Sequence, residues 1–339
     1  MVYFIQQTLV FAIPLMIVAL AGVFAERSGI INIALEGIMV FGAFIGVLFV
    51  RIFISAGFPV ESGQLMLILV ILITMIFGGI FSLLLAYASI NLKADQTIGG
   101  TALNLLAPAL VLFLIILISQ QNVLNIDSKY SSADYFMLFQ EDFGLGTKAE
   151  NPLGVIGNIL FNKVYLTTIY SIVLFISLSI ILYKTKFGLR LRSCGEHPQA
   201  ADSAGINVYK MRYIGTIISG SLAAFGGFIY ALTAAGCTSN GDVAGLGFLA
   251  LAVMIFGNWK PLSIVLAALL FGALKCISVG YAYIDFNNDG IYFLTKLGIS
   301  SHFYRILPYL ITLVVLAFTS KKSRAPKAEG VPYDKGKRW

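Results

Sequence analysis

The chain predicts an all-α polytopic membrane protein of about nine transmembrane helices, within a range of roughly eight to ten, some of them broken. Three observations predict it. Of 339 residues, 58% are hydrophobic and only 12% charged, about half the charged fraction of a soluble domain. Apolar runs recur along nearly the whole length, and several exceed the ~18 to 20 residues that cross a bilayer. The charges are segregated. Basic residues crowd Tyr183–Arg212 and the tail after Thr319, whereas Gln120–Asn162 is acidic. That asymmetry places the basic stretches, and with them the C-terminus, on the cytoplasmic side. It also explains the formal net charge of +7 without nucleic acid as a partner.

The first span, roughly Phe4–Phe24, lacks a charged leader and a cleavage site, so it reads as retained. Its Pro14 is tolerable in lipid, where neighbouring helices satisfy the freed carbonyl. The second apolar segment is punctuated by Gly29, Gly37, Gly42 and Gly46 and carries Glu36 about two turns inside. An acid there is costly unless it faces the bundle interior, either as a structural hydrogen-bonding group or as part of a transport path. Asn32, four residues earlier on the same helical face, is expected to share a polar network with it.

Gln64–Ser89 and Ile98–Ser119 form the third and fourth spans, and Gln120–Asn162 an external loop long enough for a short element. Tyr165–Tyr183 is the fifth. The sixth, Tyr213–Ala235, contains GTIISGSLAAFGGF, a small-residue face suited to close helix approach. CTSNGDVAGLG then breaks the pattern before Phe248–Phe256, and such breaks at membrane depth line cavities. Asp242 sits there, either at an external mouth or as a solvated turn aspartate. The turn Gly257–Pro261 holds a tryptophan suited to the membrane interface. Ser263–Gly280 has Lys275 in its outer half, able to snorkel, and Phe303–Thr319 is the last span. The whole reads as one membrane domain, residues 1–320, with loops 120–162 and 184–212 and a basic tail, 321–339.

Several chemistries are excluded. No GxxxxGK[ST], HExxH or GxSxG occurs, so the chain does not itself cradle ATP or carry a recognisable hydrolase. Cys194, Cys237 and Cys276 are far apart, as are His197 and His302, so no metal or disulfide framework is implied. An ion-coupled secondary transporter, which usually works through intramembrane acids or repeated halves, stays as the distant alternative. A permease driven by a separate ATPase needs only a contact helix. RLRSCGEHPQAADSAGI supplies one, with Pro198 as first helical residue and an end near Gly205.

The chain resembles the permease subunits of bacterial ABC importers in the ribose/branched-chain amino-acid class. It is most similar to nucleoside uptake permeases that work with basic-membrane-protein-type lipoproteins. The resemblance rests on ERSGIINIALEGIMVFGAF (26–44), NLKADQTIGGTALNLLAP (91–108), KTKFGLRLRSCGEHPQAADSAGINV (184–208), MRYIGTIISGSLAAFGG (211–227), GFLALAVMIFGNWKP (247–261) and SRAPKAEGVPYDKGKR (323–338).

It implies import by alternating access. Its expected partners are a second homologous permease forming a heterodimer, ABC ATPase subunits that carry the ATP and Mg, and an external substrate-binding lipoprotein. No cofactor is expected on this chain. The resemblance maps a cytoplasmic coupling helix onto Glu196, His197, Pro198, Ala201, Ala204, Gly205 and Ile206. Path residues are expected among Asn32, Glu36, Thr101, Asn104 and Asp242. A ribose or other simple-sugar permease is the alternative cargo reading.

Overall fold

The computed structural model describes residues 2–58, 63–126, 136–143, 157, 163–282, 299–319 and 324–336. At its centre stands α1 (Val2–Ser28), whose residues 11–26 are all buried. A helix apolar all round belongs in the interior, and α1 meets that condition, with Pro14 enclosed among its neighbours. Around it pack α2 (Leu35–Ser55), α8 (Val208–Thr233) and α10 (Pro261–Gly280). The third span, α3 (Gly63–Ile90), lies against α8.

The small residues of α8 are what let this core close. A side chain at Gly227 would run into the Met39 carbonyl of α2. One at Gly220 would lie 2.7 Å from the Gly78 carbonyl of α3. The sequence expectation of small-residue packing is met at these crossings.

Two helices sit outermost. In α4 (Gln96–Ser119) the buried residues are Gln96, Gly100, Leu103, Ala107, Val111 and Ile115. They recur every three or four positions, a single stripe, and the other faces expose Leu105, Phe113 and Leu117. α5 (Leu166–Lys184) follows the same pattern, burying only Thr167, Ser171, Phe175 and Leu182. Exposed leucine and isoleucine on such faces suit lipid.

At the end where α5 finishes lie α6 (Lys186–Glu196) and the short α7 (Pro198–Ser203), before α8 begins. This is called the basic end below. Beyond α8 come a non-helical stretch, the 11-residue α9 (Leu246–Phe256), α10, and α11 (Ser301–Thr319). At the opposite end two short ladders clasp the loops. β1 (Leu124–Asn125) pairs antiparallel with β4 (Thr238–Ser239), and β2 (Met137–Leu138) with β3 (Val164–Tyr165). The expected loop 120–162 thus carries short elements, and much of it lies outside the described residues.

Among the described residues seven helices are long and apolar enough to span a bilayer: α1 to α5, α8 and α10. For the expected total of about nine, α9 with its non-helical lead-in and α11 are the further candidates.

Candidate functional site

Two helices of the core, α2 and α9, begin partway through the bundle, and their N-terminal ends meet. α1 closes with the paired bonds of a left-handed glycine cap: Ile30 N–H donates to Ala25 O at 3.1 Å and Gly29 N–H to Glu26 O at 2.9 Å, with Gly29 at φ +95°. That geometry suits glycine. Residues 29–34 then run non-helical through the interior, and α2 starts only at Leu35. On the other side, α9 begins at Leu246 behind Gly245, whose φ is +73°. Eleven residues make α9 about 16 Å long, roughly half of a ~30 Å hydrocarbon core.

Breaking two helices there strands backbone polar groups where water is scarce, and each must find a partner. Side chains from three helices, α2, α4 and α10, supply them. Glu36, 8% exposed, accepts from three amides around the α9 start: Gly245 N–H at 3.0 Å, Gly247 N–H at 2.6 Å and Phe248 N–H at 3.3 Å. A carboxylate at a helix N-terminus is also favoured by the helix dipole. Gly247 is required because a Cβ there would lie 2.5 Å from Glu36 Cα.

Asn104 uses both ends of its amide. Its Nδ2 donates to Ile33 O at 2.9 Å and its Oδ1 accepts from Gly37 N–H at 2.8 Å. Gln96 Oε1 accepts from Ile31 N–H at 2.7 Å. Asn32 Nδ2 donates to Ser219 Oγ at 2.8 Å, and Lys275 Nζ donates to Ala244 O at 2.8 Å.

Glu36, Asn32 and Asn104 therefore come together as fasteners of the break. Four expectations are corrected. Glu36 lies in the first turn of α2, not two turns inside, because residues 29–34 are not helical. For the same reason Asn32 and Glu36 are not on one helical face, and Asn32 pairs with α8 instead. Lys275 does not snorkel outward. It is buried and turned to the Ala244 carbonyl, with its ammonium 5.8 Å from the centre of the Tyr309 ring. Trp259 is buried rather than interfacial, its Nε1–H donating to Glu26.

The other two candidates stay apart from this cluster. Thr101 is exposed on α4 and bonds its own helix at Thr97 O and Ile98 O. Asp242 is exposed beside the lead-in to α9, where it accepts from Ala244 N–H at 2.9 Å in a tight local turn. Phe248, 49% exposed on the first turn of α9, stands on the same broken region. Gln96, Ser219, Lys275 and Phe248 were not singled out as site residues. For Gln96 and Ser219 a polar side chain on an otherwise apolar helix was the available signal.

The basic end carries a short helix, α7, in the stretch where the contact helix is expected. Thr185 caps α6 by accepting from Gly188 N–H at 3.2 Å, and Pro198 opens α7 at its first position. Ile206 N–H to Ala201 O at 3.0 Å and Gly205 N–H to Asp202 O at 2.9 Å close α7, with Gly205 at φ +81°. His197, Ala204 and Gly205 are exposed, Glu196 and Ile206 half-buried, and Pro198 and Ala201 buried. Glu196 pairs with Arg27 of α1 at 3.1 Å. Leu189, Arg190, Ser193, Ile206 and Lys210 help to line a groove of ≈ 570 Å³ beside this turn.

Residues 324–336 pack back across the same end. Ala328 N–H donates to Gly195 O at 2.9 Å and Gly330 N–H to Gly29 O at 3.2 Å. Arg324 N–H donates to Asn258 Oδ1 at 2.8 Å. Arg212, 1% exposed, donates from Nη1 to Val331 O at 2.9 Å. The Lys93–Asp334 ion pair, at 2.9 Å, adds the turn between α3 and α4. The half-buried Glu329 carboxyl is pushed up to about 7 by burial, against the opposing pull of Arg27.

The cysteines are buried and free. Burial raises the Cys194 thiol to about 11 and Cys237 to about 12, so both stay protonated and inert at neutral pH. Among the described residues no group of three His, Cys, Asp or Glu is placed to hold a metal ion.

Residues 4–316 match the family described as "Branched-chain amino acid transport system / permease component". The chain is 41% identical to the "Guanosine ABC transporter permease protein NupQ" of Bacillus subtilis (strain 168), over 98% of this chain and 97% of the relative. It is 40% identical to the "Nucleoside ABC transporter permease protein NupC" of Lactococcus lactis subsp. cremoris (strain MG1363), again over 98% and 97%. "Nucleoside ABC transporter permease protein NupB" of the same Lactococcus strain is 27% identical, over 85% of this chain and 74% of the relative. No solved structure is significantly similar. The chain belongs to the branched-chain amino-acid-type permease family of ABC transporters.

Proposed function

We propose that this chain is the membrane-spanning subunit of an ATP-driven importer that moves nucleosides into the cytoplasm by alternating access. The observation that carries the reading is near-full-length similarity to two relatives named as guanosine and nucleoside permeases. The geometry supports it, since α7 is presented at the basic end while the broken helices meet about halfway across the bundle. The positive-inside rule puts the basic end, and residues 324–336 with it, on the cytoplasmic side.

ATP hydrolysis then takes place on separate ABC ATPase subunits that hold ATP and Mg and press on Glu196–Ile206. An external binding lipoprotein delivers the cargo at the opposite end. A second permease completes the path. In its favour, the Lactococcus strain has two relatives, NupC and NupB, of unequal similarity to this chain. A nucleoside is uncharged, with a flat base and a polar sugar, so its path needs an apolar wall and a few polar groups. Exposed Phe248 and Asp242 offer an apolar face and a polar group at and before the α9 start, and Thr101 a polar group on α4, while Glu36 and Asn104 hold the backbone of the break.

The test is uptake of radiolabelled adenosine, guanosine, uridine and ribose in proteoliposomes, with ATPase inside and lipoprotein outside. Nucleoside uptake that requires both partners is expected. Ribose uptake alone would give the cargo to a simple sugar, and transport without ATPase or lipoprotein would overturn the ABC reading.

A further inference from the structure

The segment 324–336 touches more than the contact helix. At the basic end it reaches the start of the 29–34 segment, the turn after α9, the turn before α4, and α8. Gly330 bonds Gly29, where the non-helical chain 29–34 begins. Arg324 bonds Asn258, just beyond the end of α9. Asp334 pairs with Lys93, three residues before Gln96, at the foot of the helix that carries Gln96 and Asn104. Val331 bonds Arg212, two turns below Ser219 on α8, and the Tyr333 ring lies 5.1 Å from that of Tyr209. A further bond, Ala328 to Gly195, runs to the residue before Glu196, and the Tyr333 side chain hydrogen-bonds Asp202 of α7.

Arg212 is the anchor. Its guanidinium is fully buried, packed against Gly29, where a Cβ would lie 2.8 Å from Nη2. Of its nitrogens, Nε and Nη2 have no hydrogen-bond partner. Burying a charge so incompletely satisfied is costly, so stability alone does not account for it.

We propose that residues 324–336 are a working part of energy coupling: a strap that carries displacement of the Glu196–Ile206 segment into the mid-bundle break, with Arg212 as its positioning residue. The proposal rests on the ATP-driven reading above. A push on α7 moves Gly195, Gly195 draws the strap, and the strap shifts the lower ends of α1, α4, α8 and α9 together. Without the strap, α7 would act on the membrane helices through the Arg27–Glu196 pair, the packing of α6 on α1 and α8, and the α6 and α8 junctions.

The experiment measures nucleoside taken up per ATP hydrolysed, in proteoliposomes holding the whole complex. Ala328→Pro deletes the donor to Gly195, and Arg212→Met deletes the donor to Val331. Each is expected to lower uptake per ATP by about five- to tenfold, the value of one hydrogen bond. Membrane-retained ATPase and the basal hydrolysis rate should stay within about twofold, because Arg212 is buried and Ala328 half-buried. Arg212→Lys keeps a cation and a donor and should recover part of the coupling. A peptide of residues 324–339 added to a chain ending at 323 should do the same.

Uptake per ATP that stays at the wild-type value in Ala328→Pro and Arg212→Met would overturn the proposal. So would uptake and hydrolysis falling in parallel because the ATPase dissociates. Should those variants fail to fold, Lys93→Gln cuts an exposed strap contact without burying anything, and an unchanged ratio there would also overturn it. A wild-type complex with no ATP-dependent uptake would instead defeat the functional reading and leave the strap's contacts as they are.

Discussion

The mid-bundle break and the basic end both interrupt helices, and they stabilise the interruption by opposite means. At the break, side chains from three helices bond directly to stranded backbone groups, and most of what is involved is buried. At the basic end the helices are terminated by their own local caps, Thr185, Pro198 and Gly205, and the tertiary ties are single bonds and partly exposed ion pairs. Low dielectric makes the first set strong and expensive to lose, whereas water competes with the second. The difference teaches that the interior irregularity is a fixed shape, and the exchangeable contacts lie where a partner would push.

The sharpest way to break this contrast is Glu36→Leu. It leaves three amide groups unpartnered at the α9 start and should cost about 3 kcal/mol or more, read as a large fall in thermal midpoint of the detergent-purified chain. Wild-type stability would mean that the break is not held by Glu36. Asn104→Ala removes two bonds to the backbone flanking α2 and should cost about 2 kcal/mol, measured the same way.

At the other end, Glu196→Gln removes a pair whose glutamate side chain is 43% exposed, and stability should change by under about 1 kcal/mol. A loss as large as that of Asn104→Ala would erase the distinction between the two regions.

The smallest effect is on pH. The Glu329 carboxyl sits at about 7 in the docked strap and near 4.3 in free chain. The docked form therefore favours the proton. Docking weakens as pH rises through that window and levels off above about 7. Arg27 opposes this by favouring the carboxylate, and Glu26 lies close enough to interact with Glu329. Hydrogen exchange of residues 324–336, corrected for intrinsic rates, should show more opening at pH 8 than at pH 6. Glu329→Gln should flatten that dependence.

Local chemistry made much of this legible from the sequence. The span limits followed from apolar length, the limits of the short helix α7 from Pro198 and Gly205, and the core crossings from the glycines of α8. Partners were not legible. Glu36 announced that it needed donors, but those donors are backbone amides more than 200 positions away, and amides carry no sequence signal. Reading residues 29–34 as helix put Asn32 and Glu36 on one face, when Gly29 had already ended α1. Trp259 and Lys275 were read as interfacial because amphipathic side chains usually are, and tertiary packing turned both inward. The tail was read by its charge, whereas what holds it is mostly backbone hydrogen bonding.

Trp259 has a practical consequence. The chain contains two tryptophans, and Trp259, 3% exposed, sits beside Asn258, to which the strap is bonded, with its indole on Glu26. Replacing Trp339 leaves a single tryptophan, selectively excitable above the tyrosine band, at the junction of α1, the α9–α10 turn and the strap. The protein carries its own optical gauge at the place where movement would pass from loop to membrane.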